Sequence, residues 1–166
     1  MSPIKTGFVG LSSRGWASLA LGPSLMKSPQ YTLVAVSTTS VESAKTSAEA
    51  QSKVVGHAVK PYHGSTQAIA NDSDIEFVAV SVKAPLHKEA LLPVIEAGKD
   101  FFIEWPAGKS IEETTEFARL AKDKGLKTVV GLQGRHSPFV KKVRRLFGRG
   151  LRFTCVRSKK SSIRGK

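Results

Sequence analysis

Apolar positions along the chain fall into two alternating patterns. Short, nearly unbroken apolar runs rich in Val, Ile and Phe lie at 4–11 (IKTGFVGL), 31–38 (YTLVAVST), 75–82 (IEFVAVSV), 99–105 (KDFFIEW) and 126–133 (LKTVVGLQ), with a weaker one inside 57–64 (HAVKPYHG). Longer segments with helical spacing separate them, at 15–28, 41–54, 65–72, 85–98, 110–125 and 137–148. Unbroken apolar runs predict strands covered on both faces. Their alternation with helices predicts βαβ units. The pattern therefore predicts an α/β fold, a doubly wound parallel sheet of about six strands.

Punctuation residues sharpen the helix limits. Pro85 is expected to open one helix and Gly98 to close it. Ser110 with Glu113 reads as a capping box, ending at Gly125. Ser65 and Ser40 are good N-caps. Gly22-Pro23 is expected to interrupt the first helix, because proline lacks a donor and clashes in a helix interior.

Composition changes this picture in one place. The net charge of +13 suggests a nucleic-acid partner, but the last 26 residues hold eleven Lys/Arg and no acid. Residues 1–140 carry a net +2. The charge belongs to the last helix and to 149–166, a basic, Ser-rich stretch expected to be a disordered tail after a domain at 1–148. Lys141, Lys142, Arg144 and Arg145 fall on more than one helix face, with only Phe147 and Phe153 as nearby stacking groups. They read as a solvated helix end rather than a nucleic-acid surface, although KKVRR also matches a nuclear-import patch. No apolar run reaches the ~18 residues of a membrane span. No signal peptide is read at the N-terminus, and Cys155 stands alone. A cytoplasmic or nuclear location is expected.

The candidate chemistry starts at Gly10-Leu-Ser12-Ser13-Arg14-Gly15, which fits G-x-G-x-x-G except at its middle position. It follows a strand and opens a helix at Trp16, the context such a phosphate loop requires. Gly10 allows the tight turn and Gly15 allows close helix–strand packing. Ser12 adds a hydroxyl that can donate to a phosphate, at the cost of a less close approach. The helix start contributes roughly 0.3–1 kcal/mol to a bound anion, and Arg14 adds a formal charge. The bland alternative is that both glycines are simply turn residues. At the end of the second strand, Ser37-Thr38-Thr39-Ser40 carries no acid for a ribose 2′-OH. Hydroxyls there tolerate a 2′-phosphate, so NADP is expected in preference to NAD. The same run reads equally well as a loop with Ser40 capping the next helix.

Other constellations carry less. His57, His63, His87 and His136 match no metal spacing. His87 alone sits at a strand's C-terminal end, where open α/β sheets bind ligands, and is a candidate pocket residue. Glu112, Glu113 and Glu116 read as first-turn helix acids. Trp16 and Trp105 read as packing residues, with Trp105 also a candidate for the cofactor cleft.

Three further motifs follow in order: Lys83-Ala-Pro85-Leu-His87 after strand four, Glu104-Trp105-Pro106 after strand five, and Gln133-Gly-Arg135-His-Ser-Pro138 after strand six. With the glycine loop, residues 3–150 resemble the N-terminal Rossmann domain of the glucose-fructose oxidoreductase/inositol dehydrogenase/MocA (Gfo/Idh/MocA) family. The resemblance is strongest to the fungal branch that includes the yeast galactose-regulon repressor. It implies an NAD(P)-binding domain of an NAD(P)-dependent dehydrogenase. Gly10, Ser12, Ser13, Arg14, Gly15 and Trp16 would form the pyrophosphate loop, and Ser37 and Thr38 the ribose-recognition position. Val82, Pro85 and His87 would pass the nicotinamide side. Glu104 and Pro106 match the outer members of the family's Glu-Lys-Pro motif. Trp105 replaces the lysine that lies at the reaction centre in family enzymes, and an indole cannot supply that charge. No catalytic residue is therefore assigned. The resemblance also implies a second α/β substrate domain, absent from this sequence, so a truncated gene product is expected. The expected function is dinucleotide binding without turnover. The alternative is a non-catalytic, dinucleotide-sensing transcriptional regulator acting through a protein partner; a homo-oligomer is also allowed.

Overall fold

In the computed structural model, which describes residues 2–12 and 15–147, the apolar runs become six strands. These are β1 (Ile4–Val9), β2 (Tyr31–Thr38), β3 (Lys60–His63), β4 (Phe77–Val80), β5 (Asp100–Glu104) and β6 (Thr128–Gly131). Between them run α1 (Trp16–Met26), α2 (Val41–Val55), α3 (Gln67–Ala70), α4 (His87–Glu96) and α5 (Ile111–Asp123), with a 3₁₀ turn at Ala84–Leu86 leading into α4. The sheet order is β3-β2-β1-β4-β5-β6, and every neighbouring pair is parallel. The chain adds strands outward on one side of β1 and then returns to add β4 on the other. Between β1 and β4 lies the topological switch point where such sheets bind ligands.

Successive strand side chains point to opposite faces. Phe8, Leu33, Val36 and Ala79 pack with Ala17 of α1 and Ala48 of α2. Val9, Ala35, Val78, Val80, Phe101 and Ile103 pack with α3, α4 and α5 through residues such as Ile69, Leu91, Val94 and Phe117. Two cores, one on each face, explain why the central strands read as unbroken apolar runs. Only the edges depart from this. β3 carries Pro61 and is largely exposed, which an edge strand tolerates.

α1 corrects an expectation: it runs without a break through Gly22-Pro23. Leu21, Leu25 and Met26, on both sides of the proline, pack against the Phe8 cluster. That packing holds the helix together against the one hydrogen bond Pro23 cannot give, and only three residues follow it. α2 is capped by Ser40, whose Oγ accepts the Ser43 amide at 3.2 Å, and closes on Gly56 at φ 76°. In α5 the Ser110 Oγ accepts the Glu113 amide at 3.2 Å. Glu113 Oε2 reaches back to the Lys109 amide at 2.5 Å, one residue beyond the usual partner of a capping box.

At the opposite edge of the sheet a charged network joins β3 to the α3–β4 loop. Lys60 Nζ donates to Asp72 Oδ2 at 2.9 Å and Asp74 Oδ2 at 2.7 Å, and the Tyr62 hydroxyl donates to Asp72 Oδ2 at 2.8 Å. Lys99 Nζ donates to the Asp72 and Ile75 carbonyls at 3.0 and 2.6 Å.

The chain divides into two compact units, Met1–Gly131 and Leu132–Lys166. In the second, a 3₁₀ turn at Gln133–His136 precedes α6 (Pro138–Phe147). Ser137 Oγ accepts the Val140 amide at 3.2 Å at the start of that helix. The basic tail expected at 149–166 lies outside the described residues. No described helix is long and apolar enough to cross a membrane.

Candidate dinucleotide site

The C-terminal ends of β1, β2 and β4 are tied together by backbone. The Gly10 amide donates to the Ser37 carbonyl at 2.9 Å, and the Ser81 amide donates to the Val9 carbonyl at 2.9 Å. Gly10 leaves β1 at φ 92°, and a Cβ there would lie 2.1 Å from the Ser81 carbonyl oxygen. Only glycine makes this turn without moving backbone. The chain then folds back: the Ser12 carbonyl accepts both the Gly15 amide, at 3.0 Å, and the Ser18 hydroxyl. A Cβ on Gly15 would meet Ser12 Oγ at 2.9 Å. The Ser12 hydroxyl therefore occupies the space beside the helix start, where the middle glycine of the usual motif leaves room. Ser13 and Arg14 lie outside the described residues.

These surroundings suit a phosphate. Gly15, the N-cap of α1, has no side chain to cap the first-turn amides, and no acid stands in that turn. Of the helix-start amides, those of Gly15 and Ser18 donate to the Ser12 and Gly15 carbonyls at 3.0 and 3.1 Å, and the positive end of the helix dipole favours an anion beyond them. A cleft of about 760 Å³ opens there. Gly10, Ser12, Gly15 and Trp16 line it on the loop side, and Ser37, Thr38, Thr39 and Ser43 after β2. Gly64, Ser65 and Thr66 follow β3, Ser81, Val82, Lys83 and Leu86 follow β4, and Glu89 and Glu104 add carboxylates. Hydroxyls dominate the polar lining, the chemistry that ribose and phosphate oxygens require. The residues that end β2 in the cleft carry no acid. Ser40 serves as a helix cap, while Ser37 and Thr38 line the cleft.

Of the residues expected to hold a cofactor, Gly10, Ser12, Gly15, Trp16, Ser37, Thr38, Val82 and Glu104 are brought to this one cleft. Pro85, His87, Trp105 and Pro106 are not among its lining. His87 is 1% exposed, with Nε2 3.0 Å from the Val82 carbonyl and Nδ1 3.2 Å from the Ala107 carbonyl. Its buried ring sits between the turn after β4 and the loop after β5, and the tautomer sets which of the two carbonyls accepts its N–H. The packing roles expected for the two tryptophans are corrected as well: Trp16 is 63% exposed and Trp105 68% exposed. The Trp105–Pro106 bond is cis. Glu104 Oε2 accepts the Ser81 hydroxyl at 2.7 Å, so the ends of β4 and β5 are also joined by side chains.

Sequence reasoning missed Ser43, Gly64, Ser65, Thr66, Ser81, Lys83, Leu86 and Glu89. The available signal was the rule that strand C-termini line the crevice, which applies to β3 and β4 as much as to β1.

Comparisons with known proteins agree with this geometry. The profile of the GFO/IDH/MocA oxidoreductase family, described as an NAD-binding Rossmann fold, matches residues 4–132. The galactose/lactose metabolism regulatory protein GAL80 of Saccharomyces cerevisiae is 26% identical over 157 residues, covering 90% of this chain and 35% of that protein. The dehydrogenase aclE of Aspergillus oryzae is 34% identical over 124 residues, covering 73% of this chain and 32% of that protein. The crystal structure of the transcriptional regulator Gal80p from Kluyveromyces lactis superposes with a TM-score of 0.76 at 27% identity, covering 87% of this chain and 36% of that one. The chain thus spans about a third of the length of these relatives. From residue 4 to residue 132 it belongs to the Gfo/Idh/MocA oxidoreductase family, as an NAD-binding Rossmann domain.

Proposed function

We propose that the cleft holds a nicotinamide dinucleotide with its pyrophosphate against the Gly10–Gly15 loop and its adenosine ribose beside Ser37 and Thr38, that NADP is bound in preference to NAD, and that this chain carries out no hydride transfer by itself. The observation that carries the proposal is the glycine turn at the switch point: Gly10 lies against Ser81, and the uncapped start of α1 opens onto the hydroxyl-lined cleft. When bound, the nicotinamide ring is the hydride carrier. The chain's own residues bind and orient. The loop and helix start take the phosphates, and Ser37, Thr38 and Thr39 meet the ribose end without a carboxylate to repel a 2′-phosphate. The preference for NADP rests on that missing acid. The lack of turnover rests on Trp105, whose indole cannot replace a charged amine at the reaction centre.

A second reading is favoured by one observation. Trp105 is largely exposed at the position where family enzymes carry lysine, and the yeast and Kluyveromyces relatives are described as regulators. On that reading the domain senses a dinucleotide and works through a protein partner, in cytoplasm or nucleus. Assaying NADPH formation with sugars and polyols tests the first reading, which predicts binding without turnover; steady substrate-dependent reduction contradicts it. A protein complex that forms only with dinucleotide present supports the second.

A further inference from the structure

We infer that Lys83, one residue beyond the turn contacts of Val82, is the cleft residue that pairs with the dinucleotide's pyrophosphate. The inference rests on the dinucleotide reading above and extends it to a residue to which the sequence reading gives no role.

Three observations carry it. First, Lys83 is the one Lys or Arg among the described residues that line the cleft, and its ammonium has no hydrogen bond or ion pair among them. The other charged lining groups, Glu89 and Glu104, are carboxylates and supply no positive charge to a bound anion. A helix start contributes only about half a positive charge. A dianionic pyrophosphate carries more charge than the helix start and the loop's single Arg14 balance, and lysine serves phosphate as a mobile point charge.

Second, the backbone at Lys83 is fixed. Its carbonyl accepts the Leu86 amide at 2.8 Å, and the preceding Val82 carbonyl faces the buried His87 Nε2 at 3.0 Å. An exposed side chain rooted on a held backbone loses less freedom on pairing than one rooted on a loose loop.

Third, the turn abuts the phosphate loop. A Cβ on Gly10 would lie 3.1 Å from Val82 Cγ1 and 2.1 Å from the Ser81 oxygen. Lys83 follows these two residues directly and lines the same cleft as Ser12 and Gly15.

The test is calorimetric titration of the whole chain and its Lys83→Gln and Lys83→Arg variants with three probes: NADP, ADP-ribose and adenosine. ADP-ribose keeps the pyrophosphate and lacks nicotinamide; adenosine has no phosphate. Lys83→Gln is expected to weaken NADP and ADP-ribose alike by roughly tenfold and to leave adenosine unchanged. Lys83→Arg is expected to restore affinity to within about threefold of the original. Raising salt should narrow the gap between the original chain and Lys83→Gln, because exposed charge pairs are screened. Circular dichroism confirms that each variant is folded. Unaltered ADP-ribose affinity in Lys83→Gln overturns the inference while leaving the dinucleotide reading intact, as does an equal loss for adenosine. Absence of NADP and ADP-ribose binding to the original chain overturns the dinucleotide reading itself.

Discussion

A methyl group on Gly10 would lie 2.1 Å from the carbonyl oxygen of Ser81. The end of β1 and the end of β4 are therefore in backbone contact at the point where the sheet reverses its strand order. Gly10 also sits at φ 92°, where side chains other than hydrogen are strained. Gly10→Ala should cost about 2–4 kcal/mol, the sum of strain and backbone displacement. Gly64→Ala provides the comparison, since Gly64 has φ 71° but open space around it. That variant should cost only about 1–2 kcal/mol. Urea unfolding of the two variants side by side measures both costs, and equal costs would remove the contact from the explanation.

His87 is buried with both ring nitrogens facing carbonyl oxygens, those of Val82 and Ala107. His87→Phe retains a ring of similar size and removes the hydrogen bond that the imidazole donates to one of these carbonyls. The variant should lose about 1–3 kcal/mol of stability. It should also bind dinucleotide more weakly, because the ring sits between the turn carrying Val82 and Lys83 and the loop after β5. Unchanged stability and unchanged affinity together would show that the ring only fills space.

Asp72 gives the fold an acid limit. Burial pushes its carboxyl up, but hydrogen bonds from Lys60, the Asp74 amide and Tyr62 outweigh burial and bring it down to about 2. The hydrogen bond from Lys60 likewise holds the Asp74 carboxyl below its ordinary value. A carboxyl depressed in the folded state binds its proton more readily when unfolded, so its contribution is complete above the ordinary carboxylate range near pH 4. That contribution falls away as pH drops from about 4 to about 2. Urea midpoints measured between pH 6 and pH 2 should decline over this window, and Lys60→Met should flatten the decline. A Lys60→Met profile parallel to the original would contradict the assignment.

The fold was legible because burial on both sheet faces leaves a strong signature. Phe8 and Val9, or Phe101 and Phe102, supply apolar neighbours to opposite cores, so the strands read as continuous runs. The tight turn after β1 was legible through Gly10, whose φ of 92° has a local cause. Three features were not. Pro23 reads as a helix breaker because sequence shows the missing donor but not the packing of Leu21, Leu25 and Met26. His87 reads as a pocket residue because its position after β4 is visible, whereas its two carbonyl partners come from a neighbouring turn and from a loop 20 residues away. Lys83 opens the Lys83-Ala-Pro85-Leu-His87 motif, but only Pro85 and His87 of that motif read as site residues. The significance of Lys83 comes from its place in the lining of the cleft beside Ser81 and Val82, which only the folded arrangement reveals.

The central claim is that the cleft beside Gly10 and Gly15 binds a nicotinamide dinucleotide. Calorimetric titration of the purified chain with NADP and NAD tests it most directly. The account predicts saturable binding of one dinucleotide per chain, tighter for NADP than for NAD. Tighter binding of NAD would contradict the role given to Ser37 and Thr38 alone. No heat of binding with either dinucleotide, from a chain shown to be folded, would contradict the central claim.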